Sequence, residues 1–279
     1  MKSRNAQTTS VFRNNEGREV FYRNWTTRNE PNGIVLIVHG LNSHSGYYEK
    51  FSAQLIENGY DVYAMDLRGR GLSEGERYYV ADYHDIVADI DLLVGIARLT
   101  HPSIAIFLLG HSAGGVFASV YAVGNQGKLN GLISESFAFQ LHAPDFALAI
   151  IKFLGYVIPH TRLIRLKNED FTRDKVIVHA MNNDPLLENE KQPARTIQQL
   201  ILASAYLKKE MAHITLPLLI IHGTADKATN AIGSQYFMEH ASSVDKQLNL
   251  YEGYYHDLLN DKYNGIIIKD IIRWLNKRA

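Results

Sequence analysis

Ser112, Asp226 and His256 stand along this chain in the order nucleophile, acid, base, which is one of the orders used for acyl transfer by an activated serine. Ser112 lies in Gly110-His111-Ser112-Ala113-Gly114. A serine hydroxyl is inert at neutral pH until a base takes its proton and its oxygen stands clear of the surroundings. A sharp strand-to-helix turn lifts it clear, and flanking glycines give the crowded backbone room. Gly-x-Ser-x-Gly alone occurs in ordinary loops. Here an apolar run over residues 104–109 precedes it and a helix-like apolar run over 116–123 follows, which favours the elbow.

Asp226 ends a Gly-containing turn after the apolar run 216–222, and His256 follows the strand-like segment 246–251. Both therefore sit just past the C-terminal ends of predicted strands, where open α/β sheets place their ligand crevice. His256 would take the proton of Ser112 and return it to the leaving group, while Asp226 would orient the imidazole and stabilise its charged form. A histidine base implies a rate that rises with pH through roughly 6–7. The chain has 12 histidines, so one histidine alone is weak testimony, and Asp184 and Asp257 compete for the acid role. Order and strand-end placement favour the set Ser112, Asp226 and His256. A further buried run, 33–38, ends in His39-Gly40-Leu41-Asn42. Charge developing on a carbonyl oxygen needs preorganised N–H donors, and the expected pair is the backbone of Leu41 and Ala113. His39 and Gly40 would shape that turn.

These residues need a scaffold, and the hydrophobic rhythm supplies one. A hairpin joins Val11–Phe12 to Glu19–Trp25 through an Asn/Gly turn. Strands are predicted near 34–38, 61–65, 104–109, 130–135, 217–222 and 246–251, and helices near 46–58, 82–100, 112–123, 230–240 and 263–277. The alternation predicts an α/β fold: a mostly parallel eight-stranded sheet covered by helices on both faces, with the hairpin at an antiparallel edge. The interval 137–213 is too long for a connection and reads as an inserted helical cap. Its segment 145–158 is apolar nearly all round and ends at Pro159. Such a helix is expected to line an acyl channel, with Phe153 on its inward face, and to touch a membrane surface transiently. Asp66-Leu-Arg68-Gly-Arg-Gly-Leu-Ser73 lacks both the P-loop and dinucleotide spacings, and is expected to be a turn held by Asp66 and Arg68.

A chain of 279 residues suits one domain spanning 1–279. Lys plus Arg and Asp plus Glu are both 29, so no net field draws nucleic acid or an anionic surface. There is no cysteine, which removes thiol catalysis and cysteine metal sites and fits a reducing, cytoplasmic setting, peripheral to a membrane if the cap helix meets lipid. The first ten residues carry charge without an apolar stretch and do not read as a secretion signal. No run reaches the ~18 apolar residues of a membrane span. Neither a cofactor nor a metal is required by this chemistry, and no oligomeric state is implied.

The motifs together resemble an α/β-hydrolase of the monoacylglycerol lipase and lysophospholipase-like type, close to the serine aminopeptidase hydrolases. The residues that carry the resemblance are His39-Gly40-Leu41, His44-Ser45-Gly46-x-Tyr48, Asp66-Leu-Arg68-Gly69-x-Gly71-x-Ser73, Gly110-His-Ser112-Ala-Gly114-Gly115, Asp184-Pro185-Leu186, His222-Gly223-Thr-Ala-Asp226 and Tyr251-Glu-Gly-x-Tyr-His256. It spans roughly residues 20–277. It implies the α/β-hydrolase fold and a cofactor-independent serine carboxylester hydrolase acting on acyl esters such as monoacylglycerols or lysophospholipids. It also implies that Asp184-Pro185 lies near the site entrance. Aminopeptidase, amidase or thioesterase chemistry, or a slow-turnover ligand receptor, are the alternatives on this fold. Two positions depart from the lipase pattern: Ser43 and Tyr47 stand where a glutamate and an arginine serve the glycerol end. Loss of a carboxylate and a guanidinium leads to the expectation that the acyl half dominates recognition and the alcohol half matters little. Ala113 replaces a frequent methionine, a smaller change because the backbone N–H is the donor.

Overall fold

A computed structural model describes residues 6–279; the first residues of the N-terminal segment read above for a secretion signal, 1–5, lie outside the described set. Strands β1 (Ala6–Arg13) and β2 (Glu19–Thr26) form the expected hairpin. Then come β3 (Gly33–Val38), α1 (Glu49–Glu57), β4 (Tyr60–Met65), α2 (Tyr83–Thr100), β5 (Ile106–His111), α3 (Ala113–Asn125) and β6 (Gly131–Glu135). The chain ends in α8 (Gly265–Leu275). Between β6 and the next strand of the main sheet lie α4 (Asp145–Val157), β7 (Arg162–Ile164), α5 (Lys175–Asn182), β8 (Gln192–Pro193) and α6 (Ala194–Glu210). Beyond it are β9 (Leu218–Gly223), α7 (Ala231–His240) and β10 (Lys246–Tyr251).

Eight strands form one sheet in the order β1-β2-β4-β3-β5-β6-β9-β10. β1–β2 and β2–β4 are antiparallel and every pair from β4 to β10 is parallel. The central strands β3, β4, β5, β6 and β9 are buried along their whole length, as continuous Val/Ile/Leu runs require when helices cover both faces. One core lies between the sheet and α2, α3 and α6, and the other packs Phe51, Leu55, Ile267, Ile271 and Trp274 of α1 and α8 on the opposite face. Of the elements between β6 and β9, α6 packs on α3, and α4 packs on α6.

Two local expectations need correction. Asp66 does hold its turn, accepting from Ser45 N at 2.6 Å and Leu72 N at 2.8 Å. Arg68, however, leaves the turn and forms a buried bidentate pair with Asp89 of α2, at 2.9 Å for each bond. Phe153 of α4 is not inward. It is 64% exposed, with Phe146, Ile150, Tyr156 and Val157 on the same open side, while Leu148 and Ile151 face the interior. Packing on α6 sets that rotation: Gly155 lies so close to Gln198 that an added Cβ would stand 2.6 Å from the Gln198 Cβ, which turns the opposite side of α4 outward.

Candidate active site

β5 runs into α3 through Ser112, whose φ of 57° and ψ of −121° place an L residue in backbone space it rarely occupies. The strain is held from three sides. Ser112 N donates to Glu135 O at 2.8 Å, and Ser112 O accepts from Gly115 N at 3.0 Å and Ala138 N at 3.2 Å. The motif glycines answer to close approach: a Cβ on Gly114 would strike the carbonyl oxygens of Val38 and His39, and one on Gly110 would strike Gly114.

The loops after β9 and β10 bring Asp226 and His256 together. His256 Nδ1 lies 2.7 Å from Asp226 Oδ2. The same oxygen receives Thr229 Oγ1 at 2.8 Å and lies 3.0 Å from His222 Nε2, and Asp226 Oδ1 accepts from Ala228 N at 2.7 Å and Thr229 N at 2.9 Å. Burial alone would push the Asp226 carboxyl up, but the His256 charge and the bonds from His222 and His256 outweigh it and hold the group well below the usual carboxylate range. His256 Nε2 is buried with no hydrogen-bond partner, open to a hydroxyl proton. The rival acids are engaged elsewhere. Both oxygens of Asp257 accept from Asn260, and Asp184 Oδ2 accepts from Tyr47 Oη at 2.8 Å and lies 2.9 Å from His44 Nε2.

The loop after β3 crosses directly over Ser112, so near that a Cβ on Gly40 would stand 3.0 Å from the Ser112 Cβ. His39 Nε2 accepts from Leu67 N at 2.9 Å, which leaves Nδ1 to donate to Gly40 O at 2.6 Å. Arg70, 1% exposed, donates its Nε to Leu41 O at 2.9 Å and reaches Tyr78 O and Gln192 Oε1 with Nη2. Gly40 O and Leu41 N–H belong to one peptide, so the His39 bond sets where that N–H points, while Arg70 fixes the next peptide, between Leu41 and Asn42. Arg70, His222 and Glu135 are residues that motif reading left without a role.

Ser112, Ala113, Leu41 and His256 line one chamber of about 380 Å³ with an apolar wall that includes Leu148, Ile151, Phe171, Ile197 and Leu200. Arg165, Leu166 and Lys167 also line a second, polar cavity of about 820 Å³, together with Asn42, Asn168, Glu169, Asn182, Asp184 and Glu190 among others. Asn42, directly after Leu41, is 2% exposed; its Nδ2 donates to Asn168 Oδ1 at 2.6 Å and its Oδ1 has no partner. The site thus joins a strained serine, a carboxylate-held imidazole, an apolar chamber and a polar one. Among the described residues, His111, Glu135 and Asp257 form one grouping whose side-chain atoms lie within 4.8 Å of one another and could offer metal ligands.

Comparison with known proteins supplies a context for this arrangement. The family model for serine aminopeptidase S33 (Hydrolase_4) matches residues 29–263. The chain is 32% identical to human monoglyceride lipase over 271 residues, covering 95% of this chain and 89% of that one. It is 31% identical to the monoacylglycerol lipase of Mycolicibacterium smegmatis over 261 residues, 93% of each chain. Among solved structures it is similar to a soluble variant of Saccharomyces cerevisiae monoglyceride lipase in complex with a substrate analog, with a TM-score of 0.90, 25% identity, and coverage of 99% and 97% of the two chains.

Proposed function

The chain belongs to the serine aminopeptidase S33 family, and from that premise we propose that it is a serine carboxylester hydrolase whose substrates are monoacylglycerols and related single-chain acyl esters. The observation that carries the reading is the meeting, in one apolar chamber, of the strained Ser112 and a His256 held by Asp226. In the proposed reaction Ser112 Oγ bonds to the ester carbonyl carbon as its proton passes to His256 Nε2. The carbonyl oxygen, now negative, is met by the N–H groups of Leu41 and Ala113. Collapse breaks the bond to the alcohol, which leaves with the proton from His256. A water then repeats the sequence against the acyl-enzyme and releases the fatty acid.

The acyl chain occupies the apolar chamber. The alcohol half takes the polar side, where the amides of Asn42, Asn168 and Asn182 and the carboxylate of Asp184 line the cavity and support binding of hydroxyl groups. This revises the expectation drawn from Ser43 and Tyr47: those positions lack the charged groups, but Asn42 and its neighbours offer a different polar seat. The exposed apolar side of α4 supports contact with a lipid surface that presents the substrate. No helix among the described residues is long and apolar enough to cross a membrane.

The test is a matrix of glycerol and methyl esters over one acyl series with wild type and Asn42→Ala. The reading expects hydrolysis of both, with the variant losing rate selectively on the glycerol esters. Cleavage of peptides or amides in place of esters would overturn it.

A further inference from the structure

Glu135, at the end of β6, touches both halves of the site. Its carbonyl accepts from Ser112 N at 2.8 Å, while its Oε1 accepts from Leu259 N at 3.2 Å, in the turn that follows His256. Yet the side chain is 0% exposed, and Oε2 has no partner. Asp257 and His111 stand beside it, also buried, with the nearest ligand-type atoms of the three within 4.8 Å of one another. The His111 ring packs against His256 at 4.9 Å between centroids, and its Nε2 is likewise unpartnered. Two ionised carboxylates placed this close without water would repel strongly.

A structural metal is a poor answer to that repulsion. Both Asp257 oxygens already accept from Asn260, so Glu135 Oε2 and His111 Nε2 are the open donors, short of the four ligands such an ion takes. A proton needs neither more ligands nor space. We propose that Glu135 is a positioning residue that, sharing a single proton with Asp257, ties the loop of His256 to the turn of Ser112. Resting on the hydrolase reading above, this assigns the uncharged Glu135 carboxyl to holding base and nucleophile in register. Protonated, Oε2 changes from an orphan acceptor into a donor with the Asp257 carboxylate and His111 Nε2 nearby.

The surrounding titratable groups are Asp257 and His256 after β10, Asp226 after β9, His111 ending β5 and Tyr48 ahead of α1. Burial pushes Glu135 and Asp257 up, and drives the His111 imidazole down so that it stays neutral. An acid raised in the folded state keeps a proton that the unfolded chain has already released. The stability it contributes is therefore complete at low pH and is lost as pH climbs from the ordinary carboxylate range toward the raised value.

The experiment compares wild type, Glu135→Gln and Glu135→Ala in thermal unfolding at about pH 5 and about pH 9, with kcat beside it. Gln imitates the protonated acid. Its Tm advantage over wild type should grow by several degrees between the two pH values, and its kcat should stay within about threefold of wild type, where Ala loses tenfold or more. A Tm difference independent of pH, or a Gln variant as inactive as the Ala variant, overturns the proposal. Unfolding does not depend on turnover, so this outcome is separable from failure of the hydrolase reading itself, and the Gln series stands even if the Ala variant does not fold.

Discussion

His222 and His256 converge on a single oxygen of Asp226, at 3.0 Å and 2.7 Å. The second imidazole is itself held: Ser234 Oγ lies 2.7 Å from His222 Nδ1, leaving Nε2–H to donate to the carboxylate. In the proposed mechanism His222 thereby holds Asp226, and Asp226 holds His256. His222→Ala should remove one charge-assisted bond, worth about 1.5–3 kcal/mol, and lower kcat by about ten- to a hundredfold. Asp226→Asn should cost about 10⁴-fold through the wrong imidazole tautomer. Steady-state kinetics on one soluble ester checks both, and a His222→Ala enzyme with wild-type kcat would remove His222 from the account.

Burial holds the His39 imidazole down at about 4. The folded protein keeps it neutral while the unfolded chain protonates near the ordinary value of about 6.5, so the unfolded state binds more protons between those limits. The stability His39 contributes is present above about pH 6.5 and is lost as pH falls toward 4. His39→Asn should destabilise at pH 7, because Leu67 N loses its acceptor at a cost of about 1–3 kcal/mol, and should flatten the loss of stability on acidification. Urea unfolding at about pH 5 and 7 measures the two effects, and an unchanged pH slope would argue against a buried neutral imidazole.

The rotation of α4 separates two effects of mutation. Leu148→Asn, in the chamber wall, should penalise long acyl chains more than short ones, since each buried methylene contributes up to about 0.8 kcal/mol. Phe153→Asp, on the open side, should leave kcat/KM for dissolved esters of every length unchanged and reduce sedimentation with lipid vesicles. Equal losses across chain lengths in Leu148→Asn would place the acyl chain elsewhere.

Local signals made much of this legible in advance. The apolar runs of β3, β5 and β9 and the Gly110–Gly114 spacing foretold strands ending at one edge, because strand periodicity and glycine sterics act over a few residues. Arg70 and Glu135 gave no such signal. Each is a buried polar group whose partner lies far along the chain, Leu41 O for one and Leu259 N for the other, and only the folded packing makes that burial tolerable. The same limit explains Phe153, which faces outward because Gly155 on the other side of α4 packs on Gln198 of α6, and Arg68, whose partner Asp89 sits on a helix rather than in its own turn.

Covalent capture of the acyl-enzyme shows directly whether Ser112 is the nucleophile. The protein would be mixed with a fluorophosphonate or a slowly deacylated p-nitrophenyl ester, digested, and the modified peptide identified by mass spectrometry. A single adduct is expected on Ser112, absent from Ser112→Ala, formed far more slowly in His256→Ala, and matched by a fall in ester turnover of about 10⁴-fold or more in Ser112→Ala. An adduct on another residue, or near wild-type turnover in Ser112→Ala, would contradict it.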